Sequence, residues 1–351
     1  MTPSQRPRAM GLFSSLTGLA VLSGPVIGGA LVDALGWRWV FWINLPLCTV
    51  TALVARFRIA RNDQVAAQID WFGIGLLTTA MTAAVWGLSE ANAQMGSGAA
   101  VVSAFVAGAA AALAFFAWQR KSSHPLIPGR LVASIPFKAG NIACLLMFMS
   151  MMGTLLFMAQ YFSIVQQASA SGAGERMLPW TLALFVAAPV GGIAAGRFGE
   201  RGPAVAGLLL HGAALLWMSL LCDGSSGYGA WVAPLVLAGI GVATAMPAVQ
   251  SAVLGSVAPA DMGKASGIYN TMRQLGWACG AAAAVAVFGA FGNLATVKTM
   301  AAGYSAVLLM TSALSVAAAL VASRLPRSAS AVVVAANPPQ ASDLGKAIET
   351  A

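Results

Sequence analysis

Charged side chains are scarce in this sequence. Only 8% of its 351 residues are Asp, Glu, Lys or Arg, whereas about a quarter of the residues in a soluble domain are charged. Hydrophobic residues make up 59% of the chain. This composition excludes an ordinary soluble domain, and we expect an integral membrane protein embedded in the lipid bilayer.

Catalytic and metal-binding patterns are also missing. The four cysteines are too widely spaced for a metal site or a disulfide framework, and there are only two histidines. The sequence has no glycine-rich phosphate loop and no His-Glu-x-x-His pair. We therefore expect no enzyme, no cofactor and no metal. The net charge of +9 does not indicate nucleic-acid binding, because the basic residues lie at the ends of apolar segments.

Long apolar segments are what the sequence does contain. A segment of about 20 apolar residues is long enough to cross a bilayer as a helix. Because these segments lack the alternation of membrane strands, they predict an all-α helical bundle with about ten transmembrane helices. The predicted spans are residues 11–35, 37–57, 71–90, 98–118, 138–165, 178–198, 204–222, 230–256, 265–291 and 302–324.

The distribution of Lys and Arg predicts the orientation of these spans. With the N-terminus inside, every Lys and Arg except Arg38, Arg176 and Lys298 lies on or nearer to the cytosolic side. Cytosolic loops of membrane proteins carry an excess of these residues. We expect a multi-pass protein of the cell membrane, of the bacterial cytoplasmic (inner) membrane type, with both termini in the cytosol.

Small residues recur at a fixed offset of 256 positions. Three of them lie four residues apart in each copy, which places them on one face of a helix. Small residues in such a row allow the backbones of two membrane helices to approach closely. The repeat predicts a transporter built from duplicated halves. The matched pairs are Ala20 with Gly276, Gly24 with Gly280, and Gly28 with Ala284.

Two adjacent motifs carry a family resemblance. Residues 24–29 read Gly-Pro-Val-Ile-Gly-Gly, and residues 36–46 read Gly-Trp-Arg-Trp-Val-Phe-Trp-Ile-Asn-Leu-Pro. The first, together with Gly11, resembles the antiporter motif of the major facilitator superfamily, with Ala20 where a glycine is usual. The second is similar to the outer turn that follows this motif in the fourteen-span drug/proton antiporter branch. The resemblance covers about residues 6–326.

Compared with that branch, the sequence corresponds to the fifth span onward and lacks the first four spans. The resemblance therefore implies an incomplete first half and a complete second half. The implied organisation is residues 1–59 as the last two spans of the N-terminal half, 60–136 as a linker with two extra spans and an interfacial segment, 137–326 as a complete six-helix C-terminal half, and 327–351 as a disordered cytosolic tail.

The resemblance implies a secondary active transporter. Its expected activity is proton-coupled efflux, or antiport, of drug-like or amphiphilic small molecules, so the expected partners are the bilayer, a small-molecule substrate and protons. The alternative is a non-transporting membrane remnant or an accessory membrane protein that associates with another transporter. The sequence names neither the substrate nor a partner chain.

The first group of candidate site residues is the antiporter motif, to which the resemblance assigns helix packing and gating. Pro25 removes a backbone donor, so the Val21 carbonyl lacks its helical partner and the helix can bend there. The alternative is plain helix packing without a gating role. The residues of this group are Gly11, Gly24, Pro25, Gly28 and Gly29.

The second group consists of polar and charged residues inside predicted spans, which are candidates for the transport pathway. A charge within the membrane is a functional candidate by default. The alternatives are that the arginine extends to the cytosolic headgroups, that the aspartate faces the outer interface, that the histidine is a packing residue, and that the two amide side chains join helices. The members are Arg273, Asp33, Gln160, Asn270 and His211.

Overall fold

The computed structural model describes residues 31, 36, 38–58, 70–92, 98–122, 127–222 and 226–327. All regular secondary structure in these ranges is helical. Contacts along the chain divide it into two compact units, Met1–Asp70 and Trp71–Ala351.

Two helices are described in the first unit, α1 (Trp39–Trp42) and α2 (Asn44–Arg58). Pro46 lies in the first turn of α2, where its missing backbone donor disrupts no helical hydrogen bond. The Thr49 hydroxyl donates to the Leu45 carbonyl at 2.8 Å, so this polar side chain is satisfied within the helix. The predicted span at 11–35 lies outside the described residues, apart from Leu31.

The second unit contains the remaining helices. Their bounds are α3 (Trp71–Asn92), α4 (Gly98–Lys121), α5 (Gly129–Ala133), α6 (Ile135–Ile164), α7 (Ala170–Arg176), α8 (Leu178–Phe198), α9 (Arg201–Leu220), α10 (Tyr228–Gly255), α11 (Met262–Phe291) and α12 (Val297–Ala322). A short 3₁₀ turn at Pro259–Asp261 precedes α11.

Seven of the described helices are long and apolar enough to cross a membrane. They are α6, α8, α9, α10, α11, α12 and the part of α4 from Val101 to Lys121. The apolar parts of α2 and α3 are shorter, at Asn44–Phe57 and Trp71–Gly87. Each of the eight predicted spans from residue 71 to residue 324 overlaps one described helix, whereas the predicted span 37–57 is divided between α1 and α2. The prediction of an all-α membrane bundle is confirmed.

The helix predicted at 138–165 begins three residues earlier than predicted. Helix α6 begins at Ile135, so Pro136 and Lys138 belong to its first turn. The Ser134 hydroxyl accepts a hydrogen bond from the Phe137 backbone N–H at 3.4 Å. Capping by serine and a proline in the first turn are both typical of a helix start.

Helices α11 and α12 also begin earlier than predicted. Helix α11 starts at Met262, directly after the 3₁₀ turn, instead of residue 265. Helix α12 starts at Val297, five residues before its predicted start at 302. Its cap is reciprocal, because the Thr296 hydroxyl accepts from the Thr299 N–H and the Thr299 hydroxyl accepts from the Thr296 N–H, both at 3.2 Å. Hydrophobicity alone does not detect such polar caps.

The six helices α6 and α8–α12 pack into one bundle. Helix α6 contacts α10, α11 and α12, while α9 lies against α10 and α12, and α8 lies against α10. Glycines bring α9 and α10 together: a Cβ added to Gly207 would lie 2.5 Å from the Gly241 carbonyl oxygen. Gly199 joins α8 to α9 with a φ of +82°, a backbone conformation that residues with a Cβ rarely adopt.

Hydroxyl groups join helix α12 to its neighbours. The Ser312 and Ser315 hydroxyls donate to the carbonyls of Gly212 and Leu208 in α9, both at 2.8 Å. The Tyr304 hydroxyl donates to the Thr154 carbonyl in α6 at 3.1 Å. Lipid offers no hydrogen-bonding partners, so hydroxyls inside a membrane bundle bond within or between helices.

Candidate functional site

The antiporter motif and one pathway candidate fall in the part of the chain that the structure does not describe. This holds for Gly11, Gly24, Pro25, Gly28, Gly29 and Asp33. The second copy of the repeat, in α11, is described, and it shows how such a row of small residues packs.

The row of small residues in α11 lies against α6. A Cβ added to Gly276 would lie 2.6 Å from the Leu145 carbonyl oxygen, and one added to Gly280 would lie 2.5 Å from the Met149 carbonyl oxygen and 2.7 Å from its Cα. Ala284, the next member of the row, is fully buried. The prediction that this face permits close packing is confirmed for the second copy of the repeat.

Arg273 lies well inside α11, about 16 Å from its first residue at 1.5 Å per residue. Its Nη2 donates to the Asn270 Oδ1 at 2.6 Å, so the guanidinium is directed one turn toward the helix start. Asn270 is exposed and Arg273 half-buried. A charged side chain at the bilayer centre costs about 2.5–3.5 kcal/mol on insertion scales. At that depth, each of the two side chains would need water or polar partners.

His211 is fully buried and joins several helices. Its Nδ1 lies 3.2 Å from the Ala238 carbonyl oxygen in α10, and since a carbonyl only accepts, Nδ1 carries the hydrogen. Its Nε2 lies 3.3 Å from the Ser150 Oγ in α6. That hydroxyl also lies 2.7 Å from the Thr311 carbonyl oxygen in α12, and the Trp180 ring lies 5.5 Å away from the imidazole. These contacts favour the packing role over the pathway role.

Gln160 is exposed near the C-terminal end of α6, far from the arginine. Helices α6 and α11 run parallel, with Met149 opposite Gly280. Gln160 lies beyond Met149 while Arg273 lies before Gly280, which separates their levels by about 27 Å along the bundle. The structure therefore brings Arg273 and Asn270 together and places Gln160 elsewhere.

A polar contact that the sequence did not indicate lies at the start of α11. Arg130 of α5 donates from Nε to the Asp261 Oδ2 at 2.8 Å and from Nη2 to the Asp261 Oδ1 at 2.7 Å. These hydrogen bonds hold the pKa of the Asp261 carboxyl below its usual value. Because the Arg130 side chain is 70% exposed, solvent screens the attraction. The pair fastens the short helix α5 to the end of the bundle.

A buried carboxylate lies at the turn between α8 and α9. The Ser251 hydroxyl donates to the Glu200 Oε1 at 3.3 Å. Among the described residues, no side chain or backbone group bonds to the Glu200 Oε2. Glu200 directly precedes α9, and the amide groups at a helix start stabilise a negative charge.

A cavity of about 710 Å³ lies in the first unit, beside the turn before α2. Its lining includes Arg38, Trp39, Trp42 and Pro46.

The described helices define an all-α integral membrane protein that crosses the bilayer several times. The chain belongs to the Major Facilitator Superfamily, whose sequence profile matches residues 1–278 and, in a second placement, residues 139–346. This is a family of transporters, in agreement with the expectation that the chain is not an enzyme.

Several relatives of the chain are named for drug resistance or export. The chain is 37% identical over 285 residues to the tetracenomycin C resistance and export protein of Streptomyces glaucescens, covering 80% of this chain and 52% of that protein. It is 28% identical to the multidrug resistance protein Stp of Mycobacterium tuberculosis, with 82% and 53% covered. It is 29% identical to the lincomycin resistance protein of Streptomyces lincolnensis, with 78% and 57% covered. The chain thus spans about half the length of these relatives.

Proposed function

We propose that the protein acts in proton-coupled efflux of drug-like or amphiphilic small molecules. The observation that carries this proposal is the 37% identity, over 80% of the chain, to a protein named for resistance and export. The sequence has no phosphate-binding loop for a nucleotide. Transport driven by an ion gradient, through alternating access between two halves, is therefore the mechanism that fits.

We further propose that the chain belongs to the fourteen-span drug/proton antiporter branch and corresponds to its fifth span onward. The motifs at residues 24–29 and 36–46 support this assignment, as does the coverage of 52% of the tetracenomycin C export protein. In this proposal the active transporter has four further helices in its first half, which close the transport site from the side.

The orientation proposed from the basic residues places both termini in the cytosol of a bacterial cell. A reporter fused after Ala351 should then be cytosolic, and one inserted between Cys222 and Ser226 should be external. An external C-terminal reporter would contradict the orientation.

Efflux from whole cells tests the proposed function. Tetracenomycin C and lincomycin, the compounds in the relatives' names, are the first probes. Cells that make a form extended by four N-terminal spans should accumulate less of a probe than cells with an empty vector, and a protonophore should abolish the difference. The 351-residue chain alone should not lower accumulation, because its site would open to lipid.

Two outcomes would contradict these proposals. Robust, gradient-dependent efflux by the 351-residue chain alone would show that four further spans are not needed. Unchanged accumulation of these and a wider panel of amphiphiles by the extended form would favour the non-transporting remnant.

A further inference from the structure

Charge is distributed unevenly within the bundle formed by α6 and α8–α12. None of these six helices contains an aspartate or a glutamate. Their lysines and arginines lie in first or last turns, with the single exception of Arg273. Away from their ends, these helices therefore carry one lysine or arginine charge and no negative charge. The buried Glu200 lies outside them, at the turn before α9.

Arg273 is part of a polar face of α11. Ser266, Asn270, Arg273 and Trp277 follow one another at helical spacings of four, three and four residues, so they share one side of the helix. Ser266 and Asn270 are exposed, whereas Arg273 and Trp277 are half-buried. The Trp277 ring lies 5.9 Å from the ring of Phe148 in α6, which fixes it at the edge of the α6–α11 contact.

This face is not suited to contact with lipid. The guanidinium lies level with Asn270, about 9 Å deeper along the helix than Lys264. Asn270 accepts from Nη2 alone, while a guanidinium offers five N–H donors. Within the described ranges no other group accepts from the remaining donors, and hydrocarbon would leave them unsatisfied. A planar, negatively charged acceptor such as a carboxylate matches the donor fork of a guanidinium.

We propose that this face of α11 binds anionic aromatic amphiphiles, with a carboxylate or phenolate on the Arg273 guanidinium and the aromatic ring against Trp277. This inference rests on the proposed export function and names its substrate class. A cationic amphiphile would meet the like charge of Arg273 on this face and would find no carboxylate in the six helices of this half. Asn270 positions the guanidinium through the 2.6 Å hydrogen bond.

Two dyes with the same xanthene ring system and opposite charge test the inference. Binding of fluorescein, an anion, and rhodamine 6G, a cation, is measured by fluorescence polarisation with the purified protein in a neutral detergent. Fluorescein should bind more tightly than rhodamine 6G. Arg273→Gln should weaken fluorescein binding by roughly tenfold or more, because it removes a charge-assisted hydrogen bond, and should leave rhodamine 6G binding unchanged. Lys264→Gln, which removes a charge from the same helix, is the matched control.

If Arg273→Gln folds poorly, two other measurements still test the inference: fluorescein binding by Arg273→Lys, and the preference of the wild-type protein between the two dyes. Lysine retains the charge but not the planar fork, so fluorescein binding should fall less than in the glutamine variant. Preference of the wild type for rhodamine 6G, or equal loss of fluorescein binding in Lys264→Gln, would overturn the proposal.

Efflux measured with the same dyes separates this inference from the proposed function. Proton-dependent export that favours neither dye and does not change in Arg273→Gln would overturn the anion site and leave the export function standing. Arg273-dependent fluorescein binding without export by any form would support the anion site and contradict the export function.

Discussion

Replacing Gly280 with leucine should leave little or no folded protein. A Cβ at this position would lie 2.5 Å from the Met149 carbonyl oxygen and 2.7 Å from the Met149 Cα. Both are backbone atoms of α6, which no change of side-chain rotamer can move away. The two helices would have to separate along their whole contact, which also includes Gly276. The measurement is the yield of monodisperse protein in size-exclusion chromatography after mild heating.

Gly289→Leu is the matched control. Gly289 lies in the same helix, but a Cβ there would meet nothing within 4 Å, so this variant should behave as the wild type. Gly280→Ala should be intermediate and cost about 1–3 kcal/mol of stability, as overpacking typically does. Equal yields for Gly280→Leu and Gly289→Leu would refute the backbone contact between α6 and α11. Because Gly24 is the counterpart of Gly280 in the repeat, Gly24→Leu should lower the yield of folded protein as Gly280→Leu does.

His211→Leu should lower the free energy of unfolding by about 1–3 kcal/mol, although leucine is apolar and close in size. The substitution leaves the buried Ala238 carbonyl without the donor at 3.2 Å and removes the contact with the Ser150 hydroxyl. The expected result is a lower midpoint in thermal or denaturant unfolding. Proton coupling should persist in protein that remains folded, because the contacts of His211 are those of a packing residue.

A double-mutant cycle isolates the histidine–serine contact. The double variant Ser150→Ala/His211→Leu should lose less free energy of unfolding than the sum of the losses in the two single variants, because the two side chains contact each other at 3.3 Å. His211→Asn, which retains an N–H donor, should be milder than His211→Leu. Unchanged stability in His211→Leu together with lost proton dependence of transport would assign the histidine to the pathway instead.

The sequence predicted the elements of the bundle well because lipid imposes a simple rule. Spans such as 178–198 and 230–256 are continuous apolar runs whose length is set by bilayer thickness. The contact face of α11 was also predictable, since Gly276 and Gly280 are spaced four residues apart and small residues in such a row typically mark a close contact between membrane helices. These signals are local in the sequence.

Polar contacts between different helices were not predictable in the same way. Arg130 and Asp261 are 131 residues apart in the chain, and the partners of His211 lie in two other helices. Such pairs depend on which helices become neighbours. The hydrogen bond between Arg273 and Asn270 was predictable from the sequence, because residues three apart are neighbours on one face of a helix.

Proton movement in inverted membrane vesicles tests the export function most directly. Respiration acidifies the lumen of such vesicles, and a lumenal pH indicator follows the gradient. With the extended form present, adding an exported compound should partly dissipate the gradient, because each molecule that enters the lumen is exchanged for protons that leave. Vesicles without the protein should show no such change. Accumulation of the compound with an unaltered proton gradient, and without loss on addition of a protonophore, would contradict proton-coupled antiport.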